Sequence, residues 1–473
     1  MFFASVAVAA WRDRRWSAAQ FQRLQHSRLK ELVHHARQSV PFYSERYKHI
    51  DPQRFEIDEL PLVTKTDMLG AFAETVTGRA VSLSDAMLTA EQGDRDGYWV
   101  RGKYLVSVTG GTTGAVGYFL NDRRSWNRQS GYMMARTLRG RMGAASNLHP
   151  FLSGQRYRMA FIGTGHGASI CTQIGTESPR IGRLLINRRV LSITGDHEKN
   201  VAELNRFQPR YMHGYSSYVE RLARSQLAGE LRIAPKFISL GSEAAPPALR
   251  AVVERAFPET RIVEQYGCSE CPLLANQCPE GRMHINTDCC VIEPRDAQGR
   301  PVKPGELSDH ILVTNLLNPF QPIIRYRVED AVVISSDPCP CGRGLPMIQV
   351  HGRSVDTIWL RNNSGKFAPH SPLVFETLIH ECAGFAQFQL IHERQNELRI
   401  NFVPEPGCSP EPLVNQLRHS LDRYFRHEGY GNVLRWRIDP VQRIERHGTR
   451  KVSAVQSRVA PPGRNSESGK SRA

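Results

Sequence analysis

Between Phe237 and Glu264 the chain passes from a short apolar run, Phe237-Ile238-Ser239-Leu240, through an amphipathic stretch, Pro247 to Phe257, into a second short run, Arg261-Ile262-Val263-Glu264. Strand-length runs separated by a helix-length stretch dictate an α/β fold, with a mostly parallel sheet flanked by helices on both faces. The same reading predicts helices over Tyr211 to Leu227 and along Leu29, Leu32, Val33, Ala36 and Val40, the latter ending before Pro41. Past Gly352 the texture changes to a hairpin pattern, Phe385 to Ile391 and Glu397 to Val403, then an amphipathic helix near Leu413 to Tyr424. The expected organisation is a large α/β N-terminal domain over 1–353, a small α+β domain over 354–458, and a disordered basic tail over 459–473. With 473 residues and 40% apolar content, the chain can bury a core of that size.

One loop carries the chemistry. Tyr104-Leu-Val-Ser-Val108 breaks into Thr109-Gly110-Gly111-Thr112-Thr113-Gly114-Ala115-Val116-Gly117, an apolar strand delivering four glycines and three threonines. Glycines let successive backbone N–H groups converge on one point and threonines add hydroxyl donors, so such a loop can cradle a polyanion; a tight turn without a ligand fits the same letters. It is not a Walker A loop, because no Gly-Lys-Ser/Thr follows Gly110.

Downstream stand Gln265-Tyr266-Gly267-Cys268-Ser269-Glu270, Ile324-Arg325-Tyr326-Arg327-Val328-Glu329-Asp330 and Gly352-Arg353-Ser354-Val355-Asp356. Upstream are Leu32-Val33-His34-His35-Ala36-Arg37, Val40-Pro41-Phe42-Tyr43 and Leu62-Val63-Thr64-Lys65-Thr66-Asp67. In this order the chain, from about Leu24 to the region of Lys451, resembles the adenylate-forming ligases, most closely the branch of phenylacetate–CoA ligases and CapK-like capsule-biosynthesis proteins. The resemblance implies attack of a carboxylate on the α-phosphate of ATP, release of pyrophosphate, and passage of the acyl group to a thiol. It also implies that the small C-terminal domain is mobile and swings about a hinge near Arg353 to Asp356 between the two half-reactions. The implied acceptor is CoA, with a phosphopantetheinyl carrier protein, an amine or a sugar as alternatives; a non-catalytic nucleotide-binding relative is a further one.

By the same resemblance, Thr109, Gly110, Gly111, Thr112, Thr113 and Gly114 wrap the β- and γ-phosphates, and Glu270 approaches Mg²⁺. Tyr266, Gly267 and Ser269 meet the adenine side, Glu243 and Ala244 form an adjoining nucleotide loop, and Asp330 accepts from the ribose hydroxyls with Arg353 beside it. Lys451 is the implied catalytic lysine, with Thr112 and Glu270 as its partners in catalysis. Three positions depart from the pattern: Ala115 replaces a Lys or Thr, Val355 leaves Asp356 as the only hinge acid, and Lys451 is offset from Gly448. The implied acid pocket takes in Gly163, Gly165, His166 and Tyr215, where a glycine-rich connection without a substrate role fits equally. Nothing in these residues selects among aryl, amino and fatty acids.

Seven of ten cysteines fall between Cys268 and Cys341. A cytoplasmic chain has little use for disulfides, so the clustering points to metal or to buried thiols. Cys278 with His284, and Cys339 with Cys341, are two short pairs that can close a tetrahedral Cys₃His zinc site with no open position, hence structural, with Cys271 as the substitute ligand.

The net charge of +16 suits nucleotide or CoA phosphates, but the basic residues do not interleave with aromatics as in a nucleic-acid module, so no nucleic-acid partner is expected. Phe2 to Trp11 is apolar apart from Ser5 yet too short to span a bilayer, and its charges, Arg12-Asp13-Arg14-Arg15, follow rather than precede it. The expectation is a cytoplasmic protein without a transmembrane segment, its N-terminal stretch docked on the body or frayed.

Overall fold

The computed structural model describes residues 1–92, 97–109, 116–137, 156–163, 173, 177, 186–193, 196–243, 245, 247–353, 358–365, 367–370, 375, 378–379, 382, 384–405, 407–431, 433–444 and 455–459. They fall into two compact units. The first takes Met1–Ala245, Leu249–Val328 and Val332–Val350; the second takes Pro246–Ala248, Glu329–Ala331 and His351–Ala473.

The first unit opens with α1 (Phe2–Arg15) and α2 (Ala18–Ser39). Ser17 and Gln20 form a capping box that fixes the start of α2, the Ser17 N–H donating to Gln20 Oε1 at 2.9 Å. Short helices α3 (Pro41–Arg46) and α4 (Lys65–Gly70) and then α5 (Leu83–Gln92) lead to a three-stranded antiparallel sheet, β1 (Trp99–Val100), β2 (Tyr104–Val108) and β3 (Tyr118–Asp122). The helix α6 (Arg123–Thr137) follows directly.

The central sheet is nine-stranded and mixed. Its parallel part is β4 (Tyr157–Gly163), β5 (Ile186–Ser192), β6 (Tyr211–Tyr215), β7 (Phe237–Gly241) and β8 (Arg261–Tyr266), in the order β8-β7-β6-β4-β5. Helices α7 (His197–Phe207), α8 (Ser216–Leu227) and α9 (Pro247–Ala256) alternate with these strands, and Val201, Leu204, Val219, Leu222 and Val253 pack against Ile162, Met212, Ile238 and Leu240. The antiparallel hairpin β9 (Ala275–Gln277) and β10 (Met283–Ile285) continues the sheet beyond β8. A separate antiparallel sheet holds β11 (Cys290–Arg295), β12 (His310–Asn315) and β13 (Tyr326–Val328). The strands β14 (Asp330–Ser335) and β15 (Met347–Arg353) close the far edge of the large sheet, β15 against β10.

The second unit contains the hairpin β16 (Ile358–Arg361) and β17 (Phe367–His370) and a four-stranded sheet in the order β20-β19-β18-β21. Its strands are β18 (Phe385–Arg394), β19 (Glu397–Pro404), β20 (Arg435–Pro440) and β21 (Val455–Ser457). One face is covered by α10 (Pro410–His427), which lays Leu413, Leu417, Leu421 and Phe425 on Leu398, Ile400 and Phe402. Here the predicted hairpin and helix appear: both strands start where expected, at Phe385 and Glu397, and run on to Arg394 and Pro404, and the helix is longer at each end.

One predicted element is corrected. The helix read over Tyr211 to Leu227 is a strand to Tyr215 and a helix only from Ser216. Gly214 sits so close to β4 that a Cβ there would lie 2.8 Å from Ile162 Cβ, a contact that belongs to a buried strand, and Tyr211-Met212-His213-Gly214 pairs residue for residue with Met159 to Ile162. The N-terminal stretch is docked: α1 packs along α6, with Phe2 and Ala9 buried. Among the described residues no helix is long and apolar enough to cross a membrane. The expected tail lies outside the described residues from 460 onward.

Candidate nucleotide site and metal centre

In an open parallel sheet, ligands bind beyond the carboxyl ends of the strands. Here those ends are level: Gly163 pairs with Ser192, Ile162 with Gly214, Tyr215 with Gly241, and Leu240 with Glu264. Four of the five parallel strands therefore finish on or beside a glycine at one rim, Gly163, Gly214, Gly241 and Gly267. Ser242, immediately after β7, has φ +63°, a left-handed backbone that a non-glycine residue adopts at strained turns and functional sites.

The β8 end makes a turn that only glycine permits. A Cβ on Gly267 would stand 2.4 Å from the Pro272 carbonyl oxygen, and the Cys268 N–H closes the turn on the Cys271 carbonyl at 3.1 Å. From this turn Ser269 Oγ donates to the Val108 carbonyl at 2.8 Å. Val108 is the last residue of β2, so the hydrogen bond ties the Tyr266–Glu270 motif to the base of the glycine loop. The base itself is closed by Thr109, whose N–H donates to the Gly117 carbonyl at 3.0 Å and whose Oγ1 accepts from the Gly117 N–H at 2.9 Å. Gly110, Gly111, Thr112, Thr113 and Gly114 lie outside the described residues.

Glu270 is buried, and its carbonyl accepts from Asn315 Nδ2 at 3.1 Å. Asn315 also donates to Gln129 Oε1 at 3.2 Å, and Gln129 donates to Asn121 Oδ1 at 2.7 Å, so one buried chain of amides links β12, α6 and β3 behind the turn. Thr137 Oγ1 accepts from Gln265 Nε2 at 2.5 Å on the same side. These supporting residues carry no sequence signature, because buried amides are recognisable only by their partners.

Glu243 lies in the segment that follows β7. Its Oε2 accepts from the Ser217 N–H at 3.1 Å and from Ser217 Oγ at 2.7 Å, so the carboxylate caps the start of α8. Tyr215 directs its ring into the cluster of α7 and α8, and Tyr266 packs partly buried beside Cys271 and Leu274. Asp330 opens β14 and Arg353 ends β15, the Arg353 side chain lying outside the described residues. Ala244, Gly165, His166 and Lys451 also lie outside them.

The Arg325-Tyr326-Arg327 segment anchors the N-terminal region. Val63 and Tyr326 form a parallel bridge, and buried Arg325 donates to Glu293 Oε1 at 3.2 Å and to Asp58 Oδ1 at 2.7 Å. Burial pushes the Glu293 carboxyl upward in spite of Arg325 and Arg295 beside it.

The cysteine prediction meets a compact donor set. Cys278 at the β9–β10 turn, His284 on β10, and Cys339 and Cys341 before β15 bring their donor atoms within 4.8 Å of one another. Cys278 Sγ lies 3.8 Å from Cys339 Sγ, and Cys341 Sγ lies 3.4 Å from His284 Nε2. Four ligands arranged tetrahedrally around zinc stand about 3.5 to 3.8 Å apart, so the spacing fits. His284 Nδ1 lies 2.8 Å from the Leu345 carbonyl; donation there leaves the Nε2 lone pair for a metal. Cys271 is not part of the set, being buried beside Leu274 and Cys290.

No family model matches the chain. It is 26% identical over 440 residues to the phenylacetate–coenzyme A ligase of Escherichia coli K12, covering 86% of this chain and 89% of that one. It is 25% identical over 362 residues to the phenylacetate–coenzyme A ligase of Thermus thermophilus, covering 72% and 71%. Protein CapK of Staphylococcus aureus is 22% identical over 421 residues, covering 85% and 82%. In sequence the chain is thus similar, over most of its length, to phenylacetate–CoA ligases and to CapK. The fold is that of a solved 2-hydroxyisobutyryl-CoA ligase in its postadenylation state, complexed with R3-HIB-AMP, at a TM-score of 0.70 and 16% identity over 94% of this chain and 91% of that one.

Proposed function

We propose that this protein is an ATP-dependent acid–thiol ligase that forms an acyl-adenylate and transfers the acyl group to CoA. In the first half-reaction a carboxylate oxygen bonds to the α-phosphorus of ATP and pyrophosphate leaves. In the second the CoA sulfur attacks the acyl carbon, the thiol proton is lost and AMP departs. Two anions repel in the first step, so the site has to neutralise phosphate charge and align the carboxylate. The observation that carries the reading is the hydrogen bond from Ser269 to Val108, which seats the Tyr266–Glu270 turn against the base of the glycine loop at the rim where the parallel strands end.

In this reading the loop from Thr109 to Gly114 supplies N–H and hydroxyl donors to the phosphates, Glu270 meets Mg²⁺, and Gly241 to Ala244 with Tyr266, Gly267 and Ser269 frames the base. Asp330 and Arg353 serve the ribose, Lys451 the α-phosphate, and Gly163, Gly165, His166 and Tyr215 border the acid, an aryl or related carboxylate. The segment 354–458 acts as the mobile domain. Zinc is a structural ion held by Cys278, His284, Cys339 and Cys341, joining the β9–β10 hairpin to the loop before β15. The protein works in the cytoplasm on soluble substrates.

Carboxylate-dependent ATP–pyrophosphate exchange with aryl, aryl-acetic, fatty and amino acids tests adenylation, and CoA consumption with AMP release tests transfer. Exchange and thioester formation with one acid class are expected. ATP binding without exchange for any acid would overturn the ligase reading, and exchange without CoA consumption would move the acceptor to a carrier thiol, an amine or a sugar. Metal analysis should give one zinc per chain, lost in Cys339→Ser.

A further inference from the structure

The helix α1 is apolar on the wrong side. Its docked face buries Phe2, Ser5, Ala9 and Asp13, whereas the solvent face carries Phe3, 49% exposed, Val8, 37% exposed, and Trp11, 55% exposed, together with Ala4 and Ala7. At helical spacing Phe3, Ala7, Val8 and Trp11 form one stripe along the outside. A helix resting on a folded body ordinarily turns such a stripe inward.

Two features forbid that rotation. Asp13, buried, lies 3.0 Å from Arg136 Nε, and Arg136 reaches Asp288 Oδ1 at 2.9 Å, so turning the helix would strand buried charges. Beneath α1, α6 carries Gly131, where a Cβ would stand 2.6 Å from the Phe2 carbonyl oxygen and 2.7 Å from Ser5 Cβ. The small faces of the two helices are in backbone contact, and neither Phe3 nor Trp11 fits there. The apolar stripe is thus fixed outward.

The stripe ends in cations. Arg14 and Arg15 are exposed at the C-terminal end of α1, Arg12 lies over the Trp16 ring at 4.7 Å, and the only acid of the helix, Asp13, points inward. Aromatic and aliphatic side chains beside arginines, with no exposed carboxylate, match the boundary of an anionic bilayer: the rings enter the headgroup region and the guanidinium groups meet lipid phosphates. A second copy of the chain is the weaker partner on area. Fourteen residues give a helix about 21 Å long, and a stripe about 10 Å wide covers roughly 200 Å² per copy, far below the 1,200 Å² or so in total that stable association needs. A bilayer sets no such minimum, because the stripe need only enter it by about 5 to 10 Å.

We propose that the outer face of α1 docks this protein on anionic membrane surfaces, with Phe3, Val8 and Trp11 inserted at the headgroup level and Arg14 and Arg15 on lipid phosphates. The contact is peripheral and reversible, and it does not depend on the ligase reading.

The test is cosedimentation of the full chain with phosphatidylcholine vesicles containing roughly a quarter phosphatidylglycerol, compared with pure phosphatidylcholine. Pelleting with the anionic vesicles, weakened by added salt, is expected. Phe3→Asp with Trp11→Asp should lower the partition at least about tenfold, Arg14→Ala and Arg15→Ala about fivefold each, and Trp11→Phe should retain it. All these positions face solvent, so melting curves and ATP–pyrophosphate exchange without vesicles should match the parent. Wild-type protein that stays in the supernatant with both vesicle types overturns the proposal, as does undiminished pelleting of the Phe3→Asp, Trp11→Asp variant. Reversible self-association removed by that variant, without vesicle binding, would assign the face to a second copy instead.

Discussion

At position 267 a methyl group has nowhere to go, because the Pro272 backbone already occupies its space: the oxygen at 2.4 Å and the carbonyl carbon at 2.7 Å from an ideal Cβ. Gly267→Ala must open the turn, at about 1 to 3 kcal/mol of overpacking, and the same opening lifts Ser269 off Val108 and Glu270 off its amide support. Exchange activity should fall more than about tenfold while the melting temperature drops only a few degrees, since a displacement of about 1 Å in a reacting site outweighs its effect on stability. Gly70→Ala is the control. It ends α4 with nothing within 4 Å of a Cβ, so the alanine should be neutral or stabilising by up to about 1 kcal/mol. Equal losses of activity in the two variants would show that the 267 turn has no special place in the site.

Among the elements, those formed by local pattern were legible and those formed by distant pairing were not. The β7–α9–β8 rhythm and the β18–β19 hairpin with α10 follow from apolar spacing over a few residues, and the Cys278, His284, Cys339 and Cys341 set from two short pairs. The strand β6 was misread because Tyr-Met-His-Gly-Tyr has no alternation when both faces are buried, and it borrows helical periodicity from α8. Docking of α1 was one of two readings left open, and its anchor was not legible for another reason: Arg136 meets Asp288 across 152 positions, and no spacing announces that partnership. Buried Arg136 stays charged because Asp288 and Asp13 raise its pKa against the opposing pull of desolvation. Arg136→Met removes the cation nearest both buried carboxylates and leaves the longer ion pairs, Asp288 with Arg12 at 3.7 Å and Asp13 with Arg343 at 4.0 Å, at about 3 to 5 kcal/mol. Denaturant melts should show that loss, and trypsin should cut at Arg14 and Arg15 in the variant under conditions that spare the parent. If α1 stays protected, the ion network does not hold it.

For the whole molecule the acid limb of stability should be set by histidines kept neutral. His213 on β6, His370 on β17 and His392 on β18 are buried, and burial lowers each to about 4. An unfolded histidine titrates near 6.5, so between about pH 6.5 and 4 the unfolded chain binds protons that the folded one refuses. The stabilisation is therefore complete above pH 6.5 and is lost as pH falls toward 4, by up to about 3 kcal/mol for each residue. Two of the three lie in the second unit, where His370 Nε2 meets the Tyr430 hydroxyl at 2.6 Å inside a ring of Phe375, Phe425 and Tyr430. His370→Phe fits that aromatic surround and abolishes the titration, although it leaves the Tyr430 hydroxyl without its partner and so lowers stability at neutral pH by about 1 to 3 kcal/mol. The informative quantity is the slope rather than the level. Calorimetric scans at steps between pH 7 and 4.5 should show the variant's transition falling less steeply than the parent's, and parallel slopes would mean that His370 is already protonated in the fold.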